Sequence, residues 1–331
     1  MNPRILLIII LIPILFLLNL LLGSVHIPAA DVLQVLLHPD GSSTSYIITA
    51  SRLPAAITAT LAGASLATAG LLLQTTFHNP LAGPSILGIT SGANLGVAIV
   101  MLALGGTVTA GMHTWSGHLA IAAAALAGSL LVMALLLLFS SLLKNSLLLL
   151  ITGIMTGYIT SSAITLLNLL ASAESIQGFV LWGMGSFNSV SLQQLPLFVI
   201  LCLLGLGLAL LLIKPLNAIQ LGESYAINLG INTQVTRQLL LLATGVLTAV
   251  VTAYCGPVTF LGLATPHVAA LLLGTSNHRT LLPATLLTGS ALALLCNLLC
   301  NLPTTTVLPL NAVTPLLGAP VILYIIMRRK S

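Results

Sequence analysis

Side chains able to do chemistry are few in this 331-residue chain, and they are scattered. Its four carboxylates are Asp31, Asp40, Glu174 and Glu223, and no two of them lie close enough in sequence to suggest a catalytic pair. General acid–base work needs such groups positioned against one substrate. ATP binding by a phosphate loop needs the pattern G-x-x-x-x-G-K-[ST], and here no lysine follows a glycine. The four cysteines, Cys202, Cys255, Cys296 and Cys300, all sit in apolar stretches. Cys296 and Cys300 would share a helix face, but no histidine or third cysteine stands beside them to complete a tetrahedral metal site. They read as small hydrophobic residues. The seven histidines are His26, His38, His78, His113, His118, His267 and His278. His113 and His118 could meet a haem or metal from outside, but a spacing of five suits no single helix face. No catalytic residue, metal ligand set or cofactor is expected, and the chain does not read as an enzyme.

The surroundings of these residues explain their scarcity. The chain is 58% hydrophobic and 4% charged, against roughly 25% charged in ordinary soluble domains. That composition fits an integral membrane protein. Long unbroken apolar runs, without polar–apolar alternation, point to helices rather than an outer-membrane barrel. "MNPRILLIIILIPILFLLNLLLGS" has an apolar run longer than a signal-peptide core and reads as the first span. About ten spans are expected: Ile5–Leu22, Leu53–Phe77, Ile86–Leu104, Gly117–Phe139, Ser146–Leu170, Leu192–Ile213, Val235–Ala253, Val258–Leu273, Leu281–Leu302 and Val307–Met327. Pro309, Pro315 and Pro320 should make the last one irregular. With this count Arg4, Lys144, Lys214, Arg237, Arg279, Arg328, Arg329 and Lys330 fall on one side and only Arg52 on the other. The positive-inside rule then puts both termini in the cytoplasm of a multi-pass protein of the cytoplasmic (inner) membrane. The net charge of +5 informs this topology and implies no nucleic-acid partner.

One stretch breaks the apolar pattern. "FHNPLAGPSILG", Phe77–Gly88, joins the second and third spans on the cytoplasmic side. Pro80 and Pro84 stop the helix, while Gly83 and Gly88 permit a tight re-entry. Irregular backbone at such a depth must be satisfied by protein or by a water-filled cavity. "FLGLATP", Phe260–Pro266, echoes it weakly. Each follows a helix that begins near a lone arginine, Arg52 or Arg237, so a weak internal repeat is expected. "ITGIMTGYITSS" in the fifth span offers Gly153 and Gly157 for close packing, with Thr152, Thr156, Thr160 and Ser161 beside them. That helix either packs through its glycines or lines a cavity wetted by its hydroxyls.

Eight segments, in order from about residue 52 to the C-terminus, together resemble the FecCD family. They are "RLPAAITATLAGASLATAG", "HNPLAGPSILGITSGA", "LLITGIMTG", "LWGMGSF", "LGESYAINLGI", "GPVTFLGLATPH", "NHRTLLPATLLTGS" and "LGAPVILYIIMRR". Members of that family are permease subunits of ABC importers for ferric siderophores, haem and vitamin B12. The resemblance implies an all-α, ten-helix membrane permease domain over residues 1–331. It would act as a homodimer, with the pathway between subunits, a cytoplasmic ATPase dimer that binds the ATP, and a periplasmic or lipid-anchored substrate-binding protein.

By the same resemblance Asn79, Pro80 and Leu81 would gate the cytoplasmic mouth. Thr152, Gly153, Thr156, Gly157 and Ser161 would line the pathway. Leu221, Gly222, Glu223, Ala226, Leu229 and Gly230, within a loop of about 214–236, would couple to the ATPase. Arg52 and Asn301 would dock the binding protein. The family pattern is broken at Ala55, Ala270, Asn297, Asn301 and Val307, where charged residues are usual, so two of three docking arginines are absent. An iron chelate such as a ferric siderophore is the expected cargo, with haem or cobalamin next. The competing reading, a secondary transporter driven by an ion gradient, would call for acids within the membrane, and none of the four is clearly placed there.

Overall fold

The computed structural model describes residues 3–23, 25, 27–38, 41–103, 115–143, 146–303 and 306–329. His26, Asp40, His113, Lys144 and Lys330 lie outside them, as do the side chains of His118, Arg328 and Arg329. Among the described residues every regular element is helical. The long helices are α1 (Pro3–Leu21), α2 (Leu53–Thr76), α3 (Ile89–Ala98), α4 (Trp115–Leu142), α5 (Ser146–Leu170), α6 (Leu195–Leu211), α7 (Thr233–Cys255), α8 (Leu261–Leu273), α9 (His278–Asn301) and α10 (Leu310–Arg329). Each overlaps one expected span. Among the described residues six helical runs are long and apolar enough to cross a membrane, and a seventh forms if α6 is joined to Ile213–Gln220 across a 52° bend. Ile89–Ala103, α8 and Leu310–Tyr324 are apolar but shorter, so length alone supports six or seven crossings rather than ten.

The two shortest of these ten, α3 and α8, have local causes. α3 starts only after the Pro–Gly segment ends at Gly88, whose φ is +77°. α8 is bounded by Phe260 at φ +65° and by Gly274 at φ +63°. Sequence reading also missed several elements. α2 does not begin at Arg52: helix continues back to Ser43 through a π-helical stretch, Ile47–Arg52. Ala29–Leu37, Ala173–Gly183 and Ile213–Gln220 are helices outside the cores of the expected spans. Ala173–Gly183 is capped by the Ser172 hydroxyl, which accepts from the Ser175 N–H at 3.3 Å.

α2 is the centre of the bundle, packed on α9, α7, α8 and α6. In its most apolar window 83% of residues are buried, against 22% for α5. Small residues allow this. A Cβ on Gly70 would overlap the Gly262 carbonyl of α8, and one on Gly63 would overlap the Gly289 carbonyl of α9. α3 and α4 approach in the same way through Gly92, Gly96 and Gly128. Close backbone approach replaces the hydrophobic drive that lipid does not supply between spanning helices.

Candidate functional site

Two networks of hydrogen-bonded polar side chains stand out, one at each end of the bundle. At the first end, α1 finishes beside the π-helical turn that carries Arg52. The Arg52 guanidinium donates from Nη1 to the carbonyls of Leu20 at 2.7 Å and Leu21 at 2.9 Å, and from Nη2 to Val25. It thus satisfies carbonyls that the end of a helix leaves without partners. Beside it runs a ladder of amides. Asn19 Nδ2 donates to the Leu15 and Leu294 carbonyls, Asn297 Nδ2 to Asn19 Oδ1 at 2.8 Å, and Asn301 Nδ2 to the Asn297 carbonyl at 2.8 Å. Asn188 Nδ2 completes it at Asn301 Oδ1, 3.2 Å away. A polar cavity of about 240 Å³ is lined by these groups with Tyr46 and Ser51. Arg52 and Asn301, the pair that the family resemblance names for docking, line one cavity.

Asn311 is a second hub at that end. Its Nδ2 donates to the Gly183 carbonyl at 3.0 Å and the Pro257 carbonyl at 2.7 Å. Its Oδ1 accepts from both the N–H and the hydroxyl of Thr259 at 3.1 Å. It joins the start of α10, the loop before α8 and the Ala173–Gly183 helix. Next to it opens a cavity of about 470 Å³, lined by Asn94, Phe179, Trp182, Met184 and Pro257 among others. Sequence reasoning missed Asn311; the signal available was an amide directly after a proline-broken span start.

At the other end the Phe77–Gly88 segment is an ordered plug-like loop. His78 has φ +48°, and Phe260 is the only other described non-glycine residue with positive φ, so the two echoing segments share this departure. Asn79 Oδ1 accepts from the Leu81 N–H at 2.9 Å, the local turn that Asn favours. The Pro80 carbonyl accepts from His267 Nε2 at 2.7 Å, and Gln74 Nε2 donates to the Leu263 carbonyl at 3.0 Å. Leu81 is exposed. The loop also leans on α5: a Cβ on Gly153 would lie 2.9 Å from Leu87 Cα, and one on Gly88 2.9 Å from the Gly153 carbonyl oxygen.

Of the two readings of α5, Gly153 serves packing. The hydroxyls of Thr152, Thr156 and Thr160 bond back to carbonyls one turn earlier. On the same helix Met155, Tyr158, Ile159 and Ser161 are exposed, so the helix keeps an open face as well.

The segment Leu221–Ile231 lies at the plug's end of the bundle. Glu223–Asn228 forms one short helix between Gly222 at φ +116° and Gly230 at φ +77°. The Ile231 N–H donates to the Ala226 carbonyl at 3.0 Å, a glycine-closed helix end. Ala226 is buried, while Leu221, Tyr225, Ile227 and Leu229 are exposed. Glu223 Oε1 pairs with Arg237 Nη2 at 3.0 Å; the arginine is 8% exposed and the glutamate 51%. Among the described residues no group of three His, Cys, Asp or Glu could hold a metal ion.

Helical runs long and apolar enough to cross a membrane, a central helix held by small-residue crossings, an irregular loop at one end and a wide cavity at the other make this a polytopic membrane protein. The family model for the FecCD transport family matches residues 9–328, and the chain belongs to that family. It is 35% identical over 281 residues to the vitamin B12 import system permease protein BtuC of Klebsiella pneumoniae, covering 85% of this chain and 82% of that one. The Citrobacter koseri protein of the same name is 34% identical, over 84% and 82% of the two chains. A solved structure described as an inward-facing metal-chelate type ABC transporter has a TM-score of 0.86 at 27% identity. It covers 99% of this chain and 100% of that one.

Proposed function

We propose that the chain is the membrane subunit of an ATP-driven importer for vitamin B12 or a related metal chelate. In this reading it works as a homodimer with a cytoplasmic ATPase dimer and an external substrate-binding protein. The ATP is bound by the partner. Ten helices cross the membrane, α3, α8 and α10 among them, with both termini and the Glu223 end in the cytoplasm. The open face of α5 and the 470 Å³ cavity face the pathway, Asn79–Leu81 closes its cytoplasmic mouth, and Arg52 with Asn301 forms part of the docking surface. Because Arg52 already bonds to the end of α1, docking there rests on its remaining reach and on the neighbouring amides.

The observation that carries this reading is the short helix at Glu223–Asn228. Exposed Tyr225 and Ile227 on it, with Leu221 and Leu229 at its edges, form an apolar surface, as a helix seated in a partner's groove would require. Family membership supports the ATP-driven class and gives no support to an ion-gradient mechanism. The test is uptake of labelled cyanocobalamin into vesicles holding the chain, its ATPase and its binding protein. Uptake should require ATP and be indifferent to ionophores. Uptake by the chain alone, driven by a proton or sodium gradient, would contradict the proposal.

A further inference from the structure

The end of α2 is tied by two side-chain routes to the helix Ile213–Gln220, which leads into the Leu221–Ile231 segment. The first runs through His278. Its N–H and its Nδ1 both donate to Asn217 Oδ1, at 2.9 and 3.0 Å. That fixes the tautomer, so Nε2 accepts from the Thr75 hydroxyl at 2.9 Å. Asn217 in turn donates to Asn277 Oδ1 at 3.2 Å. His278 is buried and bonded at both ring nitrogens, so this route is a fixed pivot.

The second route has the opposite character. His78 Nε2 donates to the Ile219 carbonyl at 2.9 Å. His78 is exposed and held at positive φ, and it directly precedes Asn79. The Ile219 carbonyl also accepts from the Gly222 N–H at 2.9 Å. Gly222 has φ +116°, a conformation that only glycine adopts easily, and it starts the Glu223 helix. The plug and the hinge of the short helix therefore meet on one carbonyl oxygen. A cavity of about 40 Å³ beside it is lined by Thr76, His78, Glu223 and Arg237, so the ion pair borders the same spot.

We infer that His78 is a positioning residue that transmits movement of the Leu221–Ile231 segment to the Asn79–Leu81 plug through the Ile219 carbonyl. This rests on the coupling and plug roles proposed above. Rotation about Gly222 changes what the Ile219 carbonyl offers to His78, while the His278 pivot keeps the Ile213–Gln220 helix attached to α2 and α9. The plug is thereby released or held without any rearrangement of the buried bundle.

Ser85 is exposed in the plug and all four cysteines are buried, so Ser85→Cys is a selective reporter for a soluble maleimide. The full complex with its ATPase is labelled with and without ATP, and hydrolysis is measured alongside. With Ser85→Cys alone, ATP should change the labelling rate; no change there would remove the plug role itself. Adding His78→Ala should abolish the ATP-dependent difference and leave hydrolysis in place. His78→Gln, whose amide can donate to the same carbonyl, should restore the difference. A difference that persists in His78→Ala would overturn the inference, as would a glutamine variant that behaves like alanine. Loss of hydrolysis in His78→Ala would mean a role in assembly and would overturn it too.

Discussion

Arg52 and Arg237 stand at corresponding places in the two echoing stretches, each near the start of a central apolar helix, yet they are used in opposite ways. Arg52 turns onto its own chain and satisfies the last carbonyls of α1. Around it the asparagines bond to one another and to backbone, so that end is closed upon itself. Arg237 reaches out of the bundle to Glu223, on a short helix whose outer face is bare. Around it histidines bridge separate elements: His78 bonds to Ile219, His267 to Pro80, and His278 to both Asn217 and Thr75. The contrast assigns a fixed frame to one end and joints to the other. Amide ladders suit a frame because their side chains bond to one another and to backbone carbonyls, and a rung left unpaired would be expensive.

The most damaging change should lie between the ends. Gly70→Val sets a branched side chain against the Gly262 carbonyl at the α2–α8 crossing. Overpacking typically costs about 1–3 kcal/mol where side chains can yield, and backbone yields less. The expected result is no monodisperse peak on size exclusion, with both ends lost together. At the frame end, Asn297→Ala removes the donor to Asn19 Oδ1 and the Oδ1 acceptor 3.3 Å from Asn301 Nδ2, whose bond to the Asn297 backbone carbonyl remains. It should lower stability by about 1–3 kcal/mol, read as a lower thermal midpoint, with ATP-coupled turnover per folded complex unchanged. Asn19→Ala added to it should cost less than the sum of the two single changes, because they share a bond.

At the jointed end the balance reverses. Gly222→Ala strains the φ +116° hinge by about 1–3 kcal/mol, confined to a surface segment. The thermal midpoint should move little while coupled ATP hydrolysis falls. Glu223→Gln should have the smallest effect on stability, about 0–1 kcal/mol, because Glu223 is half exposed and screened by water and glutamine keeps an acceptor for Arg237. Its signature should again be impaired coupling. If Glu223→Gln lowered the midpoint as far as Asn297→Ala, the two ends would not differ in kind.

Much of the helical layout was legible in the sequence, because lipid demands long apolar runs and prolines and glycines mark where they stop. Each of the ten expected spans overlaps a long helix. The polar breaks at Phe77–Gly88 and Leu221–Ile231 stood out against that background. What was not legible depends on distant pairings. Asn19 and Asn297, Asn311 and Pro257, and His78 and Ile219 each meet across more than fifty positions, and no local pattern announces them. Arg52 was placed near the start of the second span. The π-helical turn before it carries the helix back to Ser43.

The most direct test of a fixed frame and a jointed end is amide hydrogen exchange on the full complex, compared with and without bound ATP. The account predicts that exchange changes in 77–88 and 213–231, while 15–23 and 294–301 stay the same. Equal changes at both ends, or changes confined to 15–23 and 294–301, would contradict it.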